Sequence, residues 1–235
     1  LHFAAETGAS GTEELRNAYL RDKKTDCYSM AVELCAEQNY TITRPVAKQL
    51  ILASQYCMGP AKLAVQLNIP ESEAKELLTQ FGILLPFIKS FKWKVLNSLS
   101  AMVDEDTVPH IKTINGRDIH FEVEEGKREV KMGDKVIGYK PYKQAVKAYK
   151  GINYTVQGSS ADMTKKAMVD IYKELRIVPV LQVHDELDYL IRSDDVDKTV
   201  PILISKMENA FDTLVPMVVD VTIGNGWGCD EEKGN

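Results

Sequence analysis

Apolar residues recur at intervals of three and four through residues 12–102 and then switch to alternation, so the chain divides by pattern into a helical stretch and a hairpin stretch. Leu15, Ala18 and Tyr19, then Met30, Ala31 and Leu34, predict two helices over 12–38 separated by the polar run RDKKTD. A third helix is predicted from TITRPVAKQL to about Cys57, with Thr43 as N-cap and Pro45 in the first turn, stopping at Met58-Gly59-Pro60. IPESEAKELLTQF predicts a short helix, and 86–102 a longer one. From 107 to 140 polar and apolar positions alternate, with turn signals at Asn115-Gly116, Glu125-Gly126 and Gly133-Asp134, which predicts hairpins over an exposed face. Helix is expected again over 141–150 and from Gln157 to Leu175, where Met163, Ala167, Ile171 and Leu175 form one stripe. VPVLQVHDELDYLI is too short and too β-branched for helix and predicts two strands meeting at a tight turn around His184, Asp185 and Glu186. A helix over 196–213 and a final strand MVVDVTIG complete an α+β order with an antiparallel sheet, without internal repeat.

Composition narrows the class. With 235 residues, 44% of them hydrophobic, the chain can build one large domain or two packed subdomains without a disulfide or metal staple. Cysteines 27, 35, 57 and 229 form no C-x-x-C pair, and histidines 2, 110, 120 and 184 do not cluster with them, which argues against zinc and for reduced thiols. No run of about 18 apolar residues occurs, and LHFAAETGAS lacks the basic head and apolar stretch of a signal peptide. Because the first residue is Leu1, the chain reads as a fragment or a processed piece. A net charge of -5 counts against nucleic-acid binding in bulk. Locally, however, lysines crowd at Lys89, Lys92 and Lys94, at Lys140, Lys143, Lys147 and Lys150, and at Lys165 and Lys166. Taken singly, each such cluster is most simply a solvated face.

Three constellations carry candidate chemistry. Asp185 and Glu186 are adjacent carboxylates in an apolar hairpin, a pair that repels unless a cation or solvent takes up its charge, and hard oxygen donors suit Mg²⁺. An ordinary acidic turn accounts for the same letters, as a packed histidine accounts for His184. On the helix from Thr43, residues Arg44, Lys48, Leu52 and Tyr56 recur every four positions. Each step turns by about 40° and climbs about 6 Å, giving a slowly winding strip about 18 Å long. Its cationic N-terminal end suits a polyphosphate and its apolar end a sugar and base; an amphipathic helix with solvated cations is the plainer alternative. In NYTVQGSSAD, Asn153 and Gln157 present amides four apart that can read the minor-groove acceptors shared by all base pairs. Helix capping by Ser159 or Ser160 explains that segment equally well.

Taken in order and spacing, these segments resemble family A DNA polymerases, the bacterial polymerase I and phage replicative group. Arg44, Lys48 and Tyr56 resemble the family's fingers motif, LQVHDEL its palm carboxylate motif, and INYTVQGSSADMTKKAM the segment between them. Gly59 to Leu63, Asn115-Gly116-Arg117 and the ending VPMVVDVTIGNGW are further echoes. The resemblance implies an antiparallel palm sheet with a helical fingers subdomain, residues 1–22 belonging to palm, 23–139 to fingers with a β-hairpin insertion, and 140–235 to palm. It implies DNA-templated nucleotidyl transfer from a dNTP to a primer 3′-hydroxyl, two Mg²⁺ ions, primer–template DNA as partner, and a cytoplasmic setting in a bacterium or phage-infected cell. By that likeness Asp185 and Glu186 hold metal, and His184 and Gln182 lie near the primer terminus. Arg44 and Lys48 bind the triphosphate, Lys48 and His184 counting also among the catalytic residues. Leu52 and Tyr56 face the nascent pair, and Arg117, Asn153 and Gln157 contact primer–template.

Departures from the family pattern set further expectations. The first carboxylate motif, D-Y-S-x-x-E-L followed by R or H, is matched only in its last two places by Leu1 and His2. One shared metal-binding carboxylate is therefore expected from an upstream polymerase segment, and the chain alone is expected not to extend a primer. Leu52 stands where Phe or Tyr is usual, Ala53 and Cys57 where glycines are, and Tyr28 where a phosphate-contacting His is. Two alternatives stay open: a non-catalytic DNA-binding subunit of a split polymerase, and an HD-type metal phosphohydrolase suggested by His184-Asp185. Against the latter, the pair follows the strand pattern VPVLQV rather than sitting on a helix.

Overall fold

A computed structural model describes residues 1–37, 41–56 and 58–226. Cys57, Cys229 and Trp227 lie outside them, and with Cys57 the expected end of its helix. The helices are α1 (His2–Glu6), α2 (Glu13–Arg21), α3 (Cys27–Glu37), α4 (Arg44–Gln55), α5 (Pro60–Leu67), α6 (Glu71–Leu84), α7 (Pro86–Asp104), α8 (Gly151–Leu175) and α9 (Val196–Glu208). The strands form three separate antiparallel pairs: β1 (His110–Lys112) with β2 (Asp118–His120), β3 (Val123–Met132) with β4 (Lys135–Ala145), and β5 (Leu181–Val183) with β6 (Glu186–Asp188). The architecture is thus α+β, built on hairpins rather than one continuous sheet. No described helix is long and apolar enough to cross a membrane.

The chain forms two compact units, one of Leu1–Asn17 with Asp26–Ser159, the other of Ala18–Thr25 with Ser160–Asn235. In the first, α3, α4, α5 and α6 enclose a core around Ala31, Cys35, Ala47, Leu50, Ala53, Leu63, Ala74 and Phe81. Alanines here let helix backbones approach while Leu50, Leu63 and Phe81, all nearly inaccessible, fill the space between. α7 joins two further clusters. Its first half packs Phe87, Ile88 and Phe91 against Ala4, Ala9 and Ile152, and its second half packs Leu99 and Val103 against Ile111, Phe121 and Ala145. A Cβ on Gly151 would stand 2.7 Å from Val95 Cγ1, so the glycine lets the start of α8 approach α7.

In the second unit Ala167 and Ile171 of α8 are buried, as are Ala210 and Val215. Lys206 of α9 pairs with Glu174 of α8 at 2.6 Å, and Glu208 Oε1 accepts from the Val219 amide at 3.1 Å. β5 is exposed along its whole length.

The local pattern misassigns several boundaries. The helix expected over 141–150 is the end of β4, where Pro141 pairs with Lys127 and Gln144 with Glu124, followed by a short 3-10 turn at Ala148–Lys150. A two-stranded ribbon has only edge strands, so the missing N–H of Pro141 is tolerated there. Glu125-Gly126 is no turn but lies within β3, because Gly126 sits beneath the Tyr142 ring. α8 begins at Gly151, well before Gln157. α9 ends at Glu208, where Asn209 Nδ2 caps the Ser205 carbonyl at 2.8 Å, instead of running to 213. MVVDVTIG forms no strand, and Val218, Val221 and Ile223 are exposed; alternation needs a ladder partner, and none pairs with it among the described residues. α1 and α5 carry too few periodic positions to announce themselves.

Candidate functional site

On α4 the four residues of the expected strip divide into an exposed cationic half and a half-buried apolar half. Ala47, Leu50, Ile51 and Ala53 turn into the core, which leaves Arg44 and Lys48 on the open side and Leu52 and Tyr56 half-buried. Thr43 occupies the N-cap with extended backbone, and Pro45 lies in the first turn. Tyr28, packed against the core at the start of α3, lies beneath both cations: Arg44 Cζ is 5.3 Å and Lys48 Nζ 6.0 Å from its ring centroid. Burial pushes the Tyr28 hydroxyl above its ordinary pKa, so it stays a neutral platform.

Asp26 completes this cluster and is a residue the sequence reading did not single out. Its Oδ2 accepts from Arg44 Nε at 2.6 Å and from Ser29 Oγ at 2.7 Å, while Oδ1 accepts from the Tyr28 amide at 3.1 Å. The Arg44 hydrogen bond, followed by that of Ser29, holds the Asp26 carboxyl well below the usual range, at about 2. The same contact raises the Arg44 pKa. The signal was present as an aspartate just ahead of a helix with Ser three residues on; its pairing with Arg44 was not. The arrangement can present two cations, one tethered by a carboxylate and both backed by an aromatic face, to a polyanion.

A second cluster in the same unit joins the β1–β2 hairpin to α8. Gly116 takes a φ of 74° at the turn, and Arg117 Nη2 donates to the Gly158 carbonyl at 3.1 Å, which brings Arg117 beside the segment of Gln157. The Ile114 amide donates to Ser159 Oγ at 2.9 Å, and that hydroxyl donates to the Thr155 carbonyl at 2.6 Å. A Cβ on Gly158 would come within 2.9 Å of Ile119 Cδ1 and of Thr113 Cγ2, so only glycine admits this packing. Ser159 and Ser160 lie inside α8, which removes the capping explanation. Asn153 Oδ1 is buried without a hydrogen-bond partner among the described residues, an acceptor whose desolvation is uncompensated.

In the other unit the β5–β6 pair turns at His184 and Asp185, with Val183 opposite Glu186. His184 adopts a φ of 54°, a left-handed conformation costly for a side chain with a Cβ and often found at functional sites. Gln182 Nε2 braces the turn by donating to the His184 carbonyl at 3.2 Å. Gln182, His184, Asp185 and Glu186 are all exposed. Asp188, which the sequence reading passed over, carries a buried Oδ2 without a hydrogen-bond partner among the described residues, as does the Tyr189 hydroxyl. The donors at this turn are hard oxygens, as Mg²⁺ requires. No group of three or more metal-binding side chains converges among the described residues.

Residues 5–229 match the family description DNA polymerase family A. DNA polymerase I of Rhizobium leguminosarum is 30% identical over 192 residues, covering 77% of this chain and 17% of that protein. The DNA-directed DNA polymerase of Pseudomonas phage M6 is 27% identical over 249 residues, covering 92% and 33%. Among solved structures, the POL domain of Pol1 from M. smegmatis, in complex with DNA primer-template and dNTP, superposes with a TM-score of 0.67 at 21% identity, over 92% of this chain and 35% of that one. The chain spans at most about a third of each of these relatives.

Proposed function

Because the chain belongs to DNA polymerase family A, we propose that it serves template-directed nucleotidyl transfer, contributing the nucleotide grip and two metal-binding carboxylates. The observation that carries this reading is the Arg44–Lys48–Tyr28 cluster at the N-terminal end of α4. Two cations beside a positive helix end bind a triphosphate through charge-assisted hydrogen bonds. Arg44 exchanges Asp26 for phosphate oxygens, and Lys48 neutralises charge on the leaving pyrophosphate. Leu52 and Tyr56, further along the helix, meet the sugar and base. Arg117, Asn153 and Gln157 hold primer–template, the buried Asn153 amide oxygen accepting from a base edge or sugar. Gln182 and His184 orient the primer terminus.

Asp185 and Glu186 would hold Mg²⁺, which when bound supplies charge stabilisation for the attacking and leaving oxygens of an in-line displacement. The donor kind fits magnesium, and on this reading a further carboxylate would be supplied by a separate polymerase segment. The chain's own residues supply positioning, the main resource in phosphoryl transfer. In this assignment residues 23–139 are fingers, and 1–22 and 140–235 palm. The phage and bacterial relatives point to a cytoplasmic setting.

Primer extension tests the proposal. The chain alone should give no product, and mixing it with a segment bearing the D-Y-S-x-x-E-L motif should restore synthesis, which Asp185→Asn should abolish. Extension indifferent to Asp185→Asn would refute the assignment. DNA binding that persists while every upstream segment fails to restore extension would favour a non-catalytic subunit.

A further inference from the structure

The β3–β4 ribbon is the longest β element in the chain, with strands of 10 and 11 residues, and the polymerase reading gives it no task. Only its base is anchored: Ala145 joins the cluster of Leu99, Val103 and Phe121, and Lys143 bridges Asp106 at 2.5 Å and Glu125 at 3.3 Å. Beyond the base, Lys127 to Lys135 and their partners are exposed almost throughout. At about 3.3 Å per residue the ribbon is roughly 30 Å long. Residues 123–145 contain six Lys or Arg and four Asp or Glu, a local charge of +2 in a chain of -5.

Pairing sorts these charges by face. Directly opposed residues share a face, so Glu124, Gly126, Arg128 and Val130 lie with Gln144, Tyr142, Lys140 and Gly138. Glu124 is occupied by Gln144 Nε2 at 2.5 Å. On the other face Glu125 pairs with Lys143, and Glu129 pairs with Lys131 at 3.2 Å. On the first face Arg128 and Lys140 remain, directly across from one another and without an ion pair among the described residues; Lys127, on the opposite face, and Lys135, at the turn, likewise have none there. Like charges at opposed positions destabilise a ribbon, so this pair is unfavourable until an anion joins it.

The neighbouring positions favour one kind of anion. Arg128 Cζ lies 5.3 Å from the Tyr142 ring centroid, and that ring lies so close over Gly126 that a Cβ there would stand 2.9 Å from Tyr142 Cε1. Gly126 therefore lets the half-buried ring lie flat and hold the guanidinium from below. Gly138 keeps the far side of the face low. A single strand is usually gripped by open aromatic rings on which bases stack, and the one ring here is covered by Arg128. What remains on this face is a cationic, non-stacking surface suited to a duplex phosphate backbone.

We infer that this face of the β3–β4 ribbon is a contact site for the phosphate backbone of double-stranded DNA, with Arg128 and Lys140 as its paired cations. The inference rests on the reading that the chain works on primer–template, and it adds a surface outside the nucleotide and metal residues. Fluorescence anisotropy on the full chain, with duplex and single-stranded DNA as separate arms over a salt series, tests it. Arg128→Ala with Lys140→Ala should weaken duplex binding ~10-fold at low salt and lower the log–log salt slope by about 1.8, since each phosphate contact contributes about 0.9. Lys127→Ala, on the opposite face, should leave affinity nearly unchanged, and unaltered thermal unfolding would exclude misfolding as the cause. Duplex binding and slope identical to the unaltered chain would overturn the ribbon site while the polymerase reading stands. Loss confined to the single-stranded arm would also overturn it. Failure of the unaltered chain to bind either DNA would overturn both.

Discussion

α4 and the β5–β6 hairpin carry the two halves of the proposed chemistry on opposite kinds of support. Behind Arg44 and Lys48 stand Ala47, Leu50 and Ala53 with no accessible surface, so the cations project from a helix whose back is locked. Asp185 and Glu186 stand on a pair of three-residue strands whose first strand is fully exposed and whose turn includes a left-handed His184. A short two-stranded pair is marginal by itself. The cations of the proposed nucleotide grip are thus pre-organised by their own core, whereas the carboxylate turn is strained at His184 and held by the Gln182 brace.

Substitution can break this contrast. Leu50→Ala should cost about 2–5 kcal/mol through the cavity it leaves, while Val183→Ala in β5 should stay within about 0.5 kcal/mol; urea unfolding of both variants measures the difference, and similar losses would erase the distinction. Next in size, Arg44→Ala should weaken dNTP binding by ~10- to 100-fold, the loss of a charge-assisted hydrogen bond worth roughly 1.5–3 kcal/mol, with the unfolding midpoint unchanged. Calorimetric titration with a dNTP and magnesium reads this directly.

His184→Gly should stabilise the second unit by about 1 kcal/mol, because glycine enters the left-handed region without the Cβ penalty. Thermal unfolding checks it, and destabilisation would mean the histidine ring contributes packing that outweighs the strain. The smallest effect is electrostatic. The folded Asp26 carboxyl lies at about 2, below its ordinary value of 3.8. The contribution of its contact with Arg44 is therefore fully present above the ordinary value and is lost as pH falls through about 2. Both partners are substantially exposed, so salt should reduce it. An NMR titration of the Asp26 carboxyl should show the depressed midpoint, and Arg44→Gln should return it toward the ordinary range.

The longer helices α2, α3, α4, α6 and α7 were legible because their period arises from neighbours three and four residues apart, whereas the eight-residue α5 was not, and the spacing on α4 placed Arg44, Lys48, Leu52 and Tyr56 along one strip. The β5–β6 turn was legible for a similar reason, its apolar strands flanking His184 and Asp185. The end of β4 was not. YKPYKQAVKAYK satisfies a helical pattern, and only the ladder with β3 makes it a strand. Nor was α9's length, which Asn209 limits by capping a carbonyl.

The amino-acid sequence by itself determined the family, through motifs spread over the chain, most of the longer helices and hairpins, and which side chains share the face of one element, the last two because they depend on chemistry within a few residues. Tertiary structure alone decided that Asp26 meets Arg44 across 18 positions, that Arg117 reaches Gly158 across 41, and that Gly126 yields its space to Tyr142. Such meetings depend on the path of the intervening chain, and that path is set by burial of the cores rather than by local preference.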